Sequence, residues 1–206
     1  MSSGLEPVAI IVGGYLAGSV PFSYLVARLG RGIDIRKHGS GNPGATNVWR
    51  VLGPGPGLIT GVLDGFKGWL AVEMATRAGA DPGLRVAAAL AAVAGHTWSP
   101  WLRFRGGKGV VTSAGAFLHL AWLPLAGAIA TFGAVFGATR MVSAGAIAGA
   151  VALAILTVLL PGSWRTPSIE LAAVVVAILI VVRHRANIAR IIAGTEYRFG
   201  GRGKRQ

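Results

Sequence analysis

Residues 142–160 read VSAGAIAGAVALAILTVLL, an apolar run without a single charged side chain. Such a run is typical of a transmembrane helix, because the hydrocarbon core of a bilayer requires about 20 apolar residues per spanning helix. Two more stretches of this kind lie at 8–28 and 168–184. Together the three runs predict an all-α, polytopic membrane helix bundle.

Four weaker apolar stretches complete the predicted bundle, at 56–76, 84–100, 109–123 and 124–139. A turn is predicted at 119–124, where Trp122 suits a membrane interface and Pro124 suits a helix start. The count is then about seven transmembrane helices. Charged residues make up only 13% of the chain, whereas soluble domains carry roughly 25%, which favours the same reading.

The positions of Lys and Arg predict the orientation of the bundle. With the N-terminus outside, the outer side holds only Arg77, Arg85 and Arg165. Lys67 lies within the second span. The rest of the 20 basic residues fall on the inner side. Because cytoplasmic loops are enriched in Lys and Arg, the C-terminus is expected in the cytoplasm. This distribution accounts for the net charge of +13, and no nucleic-acid partner is expected.

A single integral-membrane domain is expected over 1–198, followed by a flexible basic cytoplasmic tail at 199–206. The first span is expected to be retained, because no Lys or Arg precedes it as a signal peptide requires. Glycines at small-xxx-small spacing (14/18, 57/61/65, 133/137 and 145/149) suggest close helix packing. The chain has no cysteine, so disulfides and thiol chemistry are excluded.

The first informative loop is GSGNPGATNVWR, residues 39–50. Its G-x-G-x-x-G spacing lacks the strand and βαβ context of a dinucleotide site. Asn42 and Pro43 resemble an N-cap and a first helical position, and a helix starting there would present unpaired N–H groups to a phosphate. Asn47 and Arg50 would share a face of this helix, which ends at 53–54. An ordinary glycine-rich turn is an equally good reading of this loop alone.

The second loop, GHTWSPWLRFRGGKG at 95–109, combines a flexible backbone, a Lys point charge and guanidinium groups, as a phosphate site does. It is not a nucleotide P-loop, because residue 109 is Gly rather than Ser or Thr. The alternative is a loop that only follows the positive-inside rule. That alternative explains the charges but not the Gly-Gly-Lys-Gly pattern.

The third segment runs from Arg183 to Glu196. His184, Asn187 and Arg190 share a face if the last helix continues past the membrane. A basic stop-transfer segment on anionic lipid is the alternative. Two further pieces are the pair Asp64 and Lys67 within a predicted span, and the turn at 140–143.

Together these motifs resemble the bacterial acyl-phosphate:glycerol-3-phosphate acyltransferase family over nearly the whole chain. The matching pieces are Ser40-Gly-Asn-Pro-Gly-Ala-Thr-Asn47 with Arg50; Gly95-His96 with Gly106-Gly-Lys108-Gly109; His184-x-x-Asn187-Ile with Gly194-x-Glu196; Asp64-Gly-x-Lys67-Gly; and Thr139-Arg140-x-Val-Ser143. The resemblance implies a catalytic domain in the bacterial plasma (inner) membrane that makes 1-acylglycerol 3-phosphate (lysophosphatidic acid) from acyl phosphate and glycerol 3-phosphate. No cofactor is expected, and no metal is expected because no two acidic residues form a cluster.

On this resemblance, each motif is assigned a role at the cytoplasmic face. The expected acyl-phosphate ligands are Ser40, Gly41, Asn42, Gly44, Ala45, Thr46, Asn47 and Ser143. The expected glycerol 3-phosphate ligands are Arg50, Lys108, Arg140, His184 and Asn187. Of these, Arg50, Lys108, His184 and Asn187 are also the expected catalytic residues. The base is either His184, whose reference pKa near 6.5 suits the role, or the donor phosphate itself.

Three other readings of the chain remain. A transporter would place ionisable residues along a path through the membrane, whereas here they crowd one face. A non-catalytic anchor would leave the motifs unexplained. A metal-dependent headgroup enzyme would need an acidic cluster, which the 7 acidic residues do not form. Membrane lipid is the expected surrounding, no obligate protein partner is expected, and a monomer is predicted.

Overall fold

The computed structural model describes residues 5–200, and every regular element in that range is helical. The all-α fold class predicted from the sequence is therefore confirmed. The chain divides into two compact units, one ending at Leu120 and the other beginning at Ala121. Most of the predicted basic tail, residues 201–206, lies outside the described residues.

The first unit consists of α1 (Leu5–Ser19), α2 (Phe22–Arg31), α3 (Ala45–Leu52), α4 (Pro54–Arg77), α5 (Pro82–Thr97) and α6 (Val110–Leu120), with short 3-10 helices at Ile35–Lys37 and Pro100–Leu102. Helix α1 packs on α5, and α4 packs on α6. Glycine makes both contacts close. A Cβ atom on Gly18 would overlap the backbone of Ala92, and one on Gly68 would overlap the carbonyl of Thr112. Small residues permit such close approach of helix backbones.

The first predicted span, 8–28, is not one continuous helix, and this part of the prediction is wrong. Pro21 has no N–H group and cannot continue the helical ladder, so α1 ends at Ser19 and α2 begins at Phe22. The carbonyls at the break are satisfied from elsewhere in the unit. Ser99 Oγ donates to Ser19 O at 2.6 Å, and Lys67 Nζ donates to Val20 O at 2.9 Å.

The second unit consists of α7 (Trp122–Thr139), α8 (Val142–Leu159), α9 (Pro167–Arg183) and α10 (Arg185–Ile192). Helix α8 packs against both α7 and α9. The turn predicted at 119–124 is confirmed, although Pro124 lies in the first turn of α7 rather than at its first position. That placement is tolerated because the first N–H groups of a helix have no intrahelical partner.

The glycine pairs of the second unit differ in their packing. Added Cβ atoms at Gly145 and Gly149 would crowd Phe132 and Ala128, so close packing is confirmed there. At Gly133 and Gly137, no atom among the described residues lies within 4 Å of such a Cβ. The packing suggested by their spacing is therefore wrong, because the pattern does not say which face of α7 meets a neighbour.

Within residues 5–200, three helical segments are long and apolar enough to cross a membrane: Leu5–Arg31 (α1 with α2), Trp122–Thr139 and Val142–Leu159. The pair α9 and α10 adds a fourth if this pair, bent by 58°, counts as one span. Helices α5 and α6 have only 16 and 11 residues. The number of seven spans and the orientation of the termini stay predictions.

Candidate functional site

The loop between α2 and α3 is held by two side chains, of which Asp34 is the first. Asp34 Oδ1 accepts from the backbone N–H of Arg36 at 3.0 Å, which caps the short 3-10 helix. The Arg36 guanidinium also binds Asp34 through Nε at 3.0 Å and Nη2 at 2.7 Å. This hydrogen bonding from Arg36 lowers the pKa of the Asp34 carboxyl to about 2, because it stabilises the charged form.

Asn47 is the second side chain that holds this loop, and it reaches back from α3 with only 2% of its surface exposed. Its Oδ1 atom accepts from the N–H of Ser40 at 2.8 Å. Its Nδ2 atom donates to the carbonyls of Ile35 at 3.2 Å and His38 at 3.0 Å. Gly39 and Gly41 have φ angles of +59° and +71°, and this left-handed region favours glycine. Beyond the 3-10 helix at Ile35–Lys37, the backbone up to Gly41 is thus held by hydrogen bonds to the Asn47 side chain.

Helix α3 begins at Ala45, with Gly44 as its N-cap residue, rather than at Asn42 and Pro43. The predicted start is therefore wrong by two residues. The N–H of Gly44 bonds to Asn42 O at 3.0 Å, and this tight turn keeps residues 42 and 43 out of the helix. The helix end predicted at 53–54 is confirmed, since Gly53 is the C-cap with φ +95°.

The second loop folds back onto the end of α5. The N–H groups of Gly106 and Gly107 donate to Thr97 O at 3.0 Å and His96 O at 3.1 Å. A Cβ atom on Gly107 would lie 3.0 Å from Pro43 O in the first loop and would overlap the imidazole of His96. The structure therefore brings the first and second predicted motifs side by side within one unit. Lys108, directly after Gly107, is half-buried, as is Arg50 on α3.

A buried polar group lies beneath these two loops. Lys67 Nζ is 2.8 Å from Asp64 Oδ1, and both side chains are 4% exposed. The Nδ1 atom of His96 lies 3.6 Å from the same carboxylate oxygen. The spacing of Asp64 and Lys67 predicted that they can pair. His96 belongs to the second predicted motif, but nothing in the sequence paired it with Asp64, which lies on a different helix.

In the second unit, three polar side chains of the predicted motifs converge on Glu196. Ser143 Oγ and Asn187 Nδ2 donate to its Oε1 atom at 2.7 Å and 2.6 Å. Arg190 Nε donates to Oε2 at 2.7 Å. Burial raises the pKa of the Glu196 carboxyl, but the hydrogen bonds from Ser143, Asn187 and Arg190 outweigh burial and leave the pKa below its ordinary value.

Glu196 had no assigned role in the sequence-based prediction. A signal for it existed, since it is an acidic residue that follows a strongly basic segment. What the pattern could not show is that Ser143 would be one of its partners, 53 positions away in the chain.

His184 occupies the bend between α9 and α10 and is 3% exposed. Helix α9 ends at Arg183 and α10 departs from it by 58°, so the condition of one continuous helix through Asn187 and Arg190 is not met. His184 Nδ1 lies 2.8 Å from Ile180 O. A carbonyl oxygen only accepts, so Nδ1 carries the proton and Nε2 is the acceptor of the neutral ring.

Arg140, the remaining predicted ligand of the second unit, is exposed in the turn between α7 and α8. Its backbone is left-handed, with φ +59°. The N–H of Phe199 donates to the carbonyl of Arg140 at 2.9 Å. The end of the described chain is thereby tied to the turn that precedes Ser143.

Residues 8–194 match the family model described as "Glycerol-3-phosphate acyltransferase". A glycerol-3-phosphate acyltransferase of Desulforamulus reducens is 46% identical over 196 residues, covering 95% of this chain and 96% of the relative. One of Synechococcus sp. (strain CC9902) is 45% identical over 200 residues, covering 97% and 98%.

Two solved structures are also similar to this chain. A crystal structure of PlsY (YgiH), an integral membrane glycerol 3-phosphate acyltransferase, in its glycerol 3-phosphate form, has a TM-score of 0.88 at 32% identity, covering 94% of this chain and 96% of PlsY. The lysophosphatidic acid form of PlsY has a TM-score of 0.86 at 31% identity, covering 94% and 95%.

Proposed function

The chain belongs to the glycerol-3-phosphate acyltransferase family of multi-pass membrane acyltransferases, and from that premise we propose its reaction. It transfers an acyl group from acyl phosphate to the 1-hydroxyl of glycerol 3-phosphate. The products are 1-acylglycerol 3-phosphate (lysophosphatidic acid) and inorganic phosphate, which makes this the first step of phospholipid synthesis. The observation that carries the proposal is the close approach of two glycine-rich loops, seen where Gly107 meets Pro43 O.

The acyl phosphate binds at the first loop. Its phosphate accepts from the backbone N–H groups at the start of α3, where a helix N-terminus favours negative charge. The loop residues Ser40, Gly41, Asn42, Gly44, Ala45 and Thr46 are the proposed ligands. The Asn47 side chain bonds to Ser40 N and to two carbonyls, which supports a role in shaping the loop around the donor. Ser143 is the further proposed contact of the donor.

Glycerol 3-phosphate is a dianion and requires cations and hydrogen-bond donors. Arg50, Lys108, Arg140, His184 and Asn187 remain its predicted ligands. The backbone of Gly106 and Gly107 supports this role for Lys108. It hydrogen-bonds to the end of α5 and thereby restricts the position of the Lys108 backbone. Preorganised positive charge and correct positioning can each contribute several kcal/mol to such a reaction.

In the chemical step, the 1-hydroxyl oxygen attacks the acyl carbonyl carbon. The bond between that carbon and the phosphate oxygen breaks, and inorganic phosphate leaves with the electron pair. The hydroxyl proton passes to His184 Nε2 or to the phosphate of the donor. The contact of Nδ1 with Ile180 O supports His184, because it leaves Nε2 as the basic atom of the neutral ring.

The enzyme acts as a monomer in the bacterial plasma (inner) membrane, with its site at the cytoplasmic face. The distribution of Lys and Arg supports this orientation. Because the chain contains no cysteine, single-cysteine labelling in intact cells tests it cleanly. Lys37→Cys is expected to resist a membrane-impermeant maleimide, whereas Ser163→Cys is expected to react; the reverse pattern would refute the orientation.

The decisive assay supplies purified protein in lipid with palmitoyl phosphate and glycerol 3-phosphate and follows release of inorganic phosphate and lysophosphatidic acid. Palmitoyl-CoA replaces palmitoyl phosphate as the control donor. Turnover is expected with the acyl phosphate alone. Turnover with the CoA ester at an equal or higher rate would overturn the donor assignment, and no product with either donor would overturn the proposed reaction.

A further inference from the structure

Three ionisable side chains are buried together in the first unit. Counted over the whole residue, Asp64 and Lys67 are each 3% exposed and His96 is 9% exposed. Burying charged groups is expensive, and well-packed apolar residues often give equal or greater stability in their place. Ionisable groups within a membrane bundle therefore suggest a role beyond packing.

Lys67 ties this cluster to the break in the first span. Its Nζ atom donates to Val20 O at 2.9 Å while it pairs with Asp64 at 2.8 Å. The Asp64 carboxylate is thus held in place on one side by a cation that is itself anchored to backbone. Its other neighbour is His96, whose Nδ1 atom lies 3.6 Å away. At this distance the carboxylate orients the imidazole electrostatically rather than through a hydrogen bond.

The opposite edge of the His96 ring contacts the second loop. A Cβ atom added to Gly107 would overlap Nε2 of His96. The backbone of His96 holds the same residue, since its carbonyl accepts from the Gly107 N–H at 3.1 Å. A small cavity, with room for about one water molecule, lies here and is lined by Ser19, Pro43, Asp64, Lys67, His96 and Gly107 among others.

We propose that His96 is a positioning residue, oriented by Asp64 and Lys67, whose imidazole supports Gly107 and so places Lys108 for glycerol 3-phosphate. The inference rests on the proposed function, because it needs Lys108 to bind that substrate. Removing the ring leaves Gly107 free to shift, and Lys108 follows because it is the next residue. The substrate phosphate is then bound less well, while the acyl-phosphate donor is affected less.

The test is a double-mutant cycle between His96 and Gly107, read as KM for each substrate. His96→Ala is expected to raise KM for glycerol 3-phosphate about 10-fold and KM for palmitoyl phosphate less than about 2-fold. Gly107→Ala is expected to raise the first KM more strongly, by about 100-fold, because its methyl group overlaps the ring. The double variant is expected near the His96→Ala value, since the methyl then occupies the space of the missing ring.

His119→Gln serves as the matched control, because it breaks another histidine–carboxylate pair of the same unit, His119 Nε2 with Glu73 Oε2 at 2.9 Å. Both KM values are expected to stay within about 2-fold of wild type. Additive effects in the cycle, or equal increases in both KM values for His96→Ala, would overturn the positioning role.

Two further outcomes are informative. If Gly107→Ala does not fold, the double variant with His96→Ala is tested for folding instead. Recovery of folded protein would show that the added methyl group overlaps the His96 ring. Failure to recover folded protein would overturn the inference. A wild-type enzyme that is inactive with glycerol 3-phosphate would overturn the proposed function and this inference with it. If the wild-type enzyme has normal activity and the KM values of His96→Ala are unchanged, the positioning role of His96 would be overturned while the proposed function stands.

Discussion

The Nδ2 atom of Asn187 donates a 2.6 Å hydrogen bond to Oε1 of Glu196, nine positions further along the chain. The same oxygen accepts from Ser143 Oγ, and the other carboxylate oxygen accepts from Arg190 Nε. Glu196 therefore joins α8, α10 and the segment after α10. Two residues predicted as substrate ligands, Ser143 and Asn187, owe their side-chain orientation to this carboxylate.

Replacing Glu196 by Gln is expected to destabilise the protein by about 2–3 kcal/mol, because hydrogen bonds to a charged acceptor are lost and an amide donor then faces donors. Thermal unfolding in detergent measures this as a lower midpoint. Glu6→Gln, at an exposed acidic position of α1, is the control and should change stability by no more than about 0.5 kcal/mol. Equal midpoints for the two variants would contradict the role of Glu196.

The lowered pKa of the Glu196 carboxyl predicts that the stability of the protein depends on pH. Since the folded-state pKa of Glu196 is lowered, its contribution is fully present above the unfolded-state pKa of about 4.3 and is lost as pH falls through the lower folded-state pKa. The gap in unfolding midpoint between wild type and Glu196→Gln should therefore be constant from pH 7 to about 5 and narrow below that. A gap that widens on acidification would contradict this direction.

Asn47→Ala should loosen the first loop, since the loop N–H of Ser40 and two loop carbonyls lose their partner. We expect a loss of about 1–3 kcal/mol in stability, because buried groups are left without a hydrogen-bond partner. The KM for palmitoyl phosphate is also expected to rise, because this loop is the proposed binding site of the donor. Thr76→Ala removes only a bond to Val72 O within α4 and should leave KM unchanged. A normal KM in Asn47→Ala would show that the loop does not need this side chain.

Gly68→Ala is expected to destabilise the protein by about 3 kcal/mol, because its methyl group would overlap the Thr112 carbonyl and force α4 from α6. Gly133→Ala is the matched control. No atom among the described residues lies within 4 Å of its added Cβ, so higher helix propensity should stabilise α7 by about 0.5–1 kcal/mol. Similar unfolding midpoints for the two variants would argue against tight packing of α4 on α6.

His184→Gln tests the base. If Nε2 of His184 accepts the hydroxyl proton, kcat is expected to fall by about 10²–10⁴-fold. The acidic limb of the pH–rate profile should disappear with it. Near-wild-type turnover with an unchanged pH profile would instead assign the proton to the donor phosphate. His119→Gln, outside the proposed site, should retain wild-type kinetics.

Local patterns predicted most of the helices well. The segments expected at 56–76 and 142–160 were found as Pro54–Arg77 and Val142–Leu159, because hydrophobicity and proline or glycine at the ends act locally. Helix starts in polar loops were less accurate. The N-cap of α3 is Gly44 rather than Asn42, since the choice between a cap and a turn depends on hydrogen bonds such as that from Gly44 N to Asn42 O.

The sequence by itself determined the all-helical membrane character, the family and the candidate motifs, because apolar run length, charge distribution and motif order are properties of the linear chain. The tertiary structure alone decided that His96 faces Asp64 and Gly107, and that Glu196 gathers Ser143, Asn187 and Arg190. These are contacts between side chains on different elements. Their partners are selected by helix packing and by the requirement that buried polar groups find a hydrogen-bond or charge partner, and no local pattern encodes that selection.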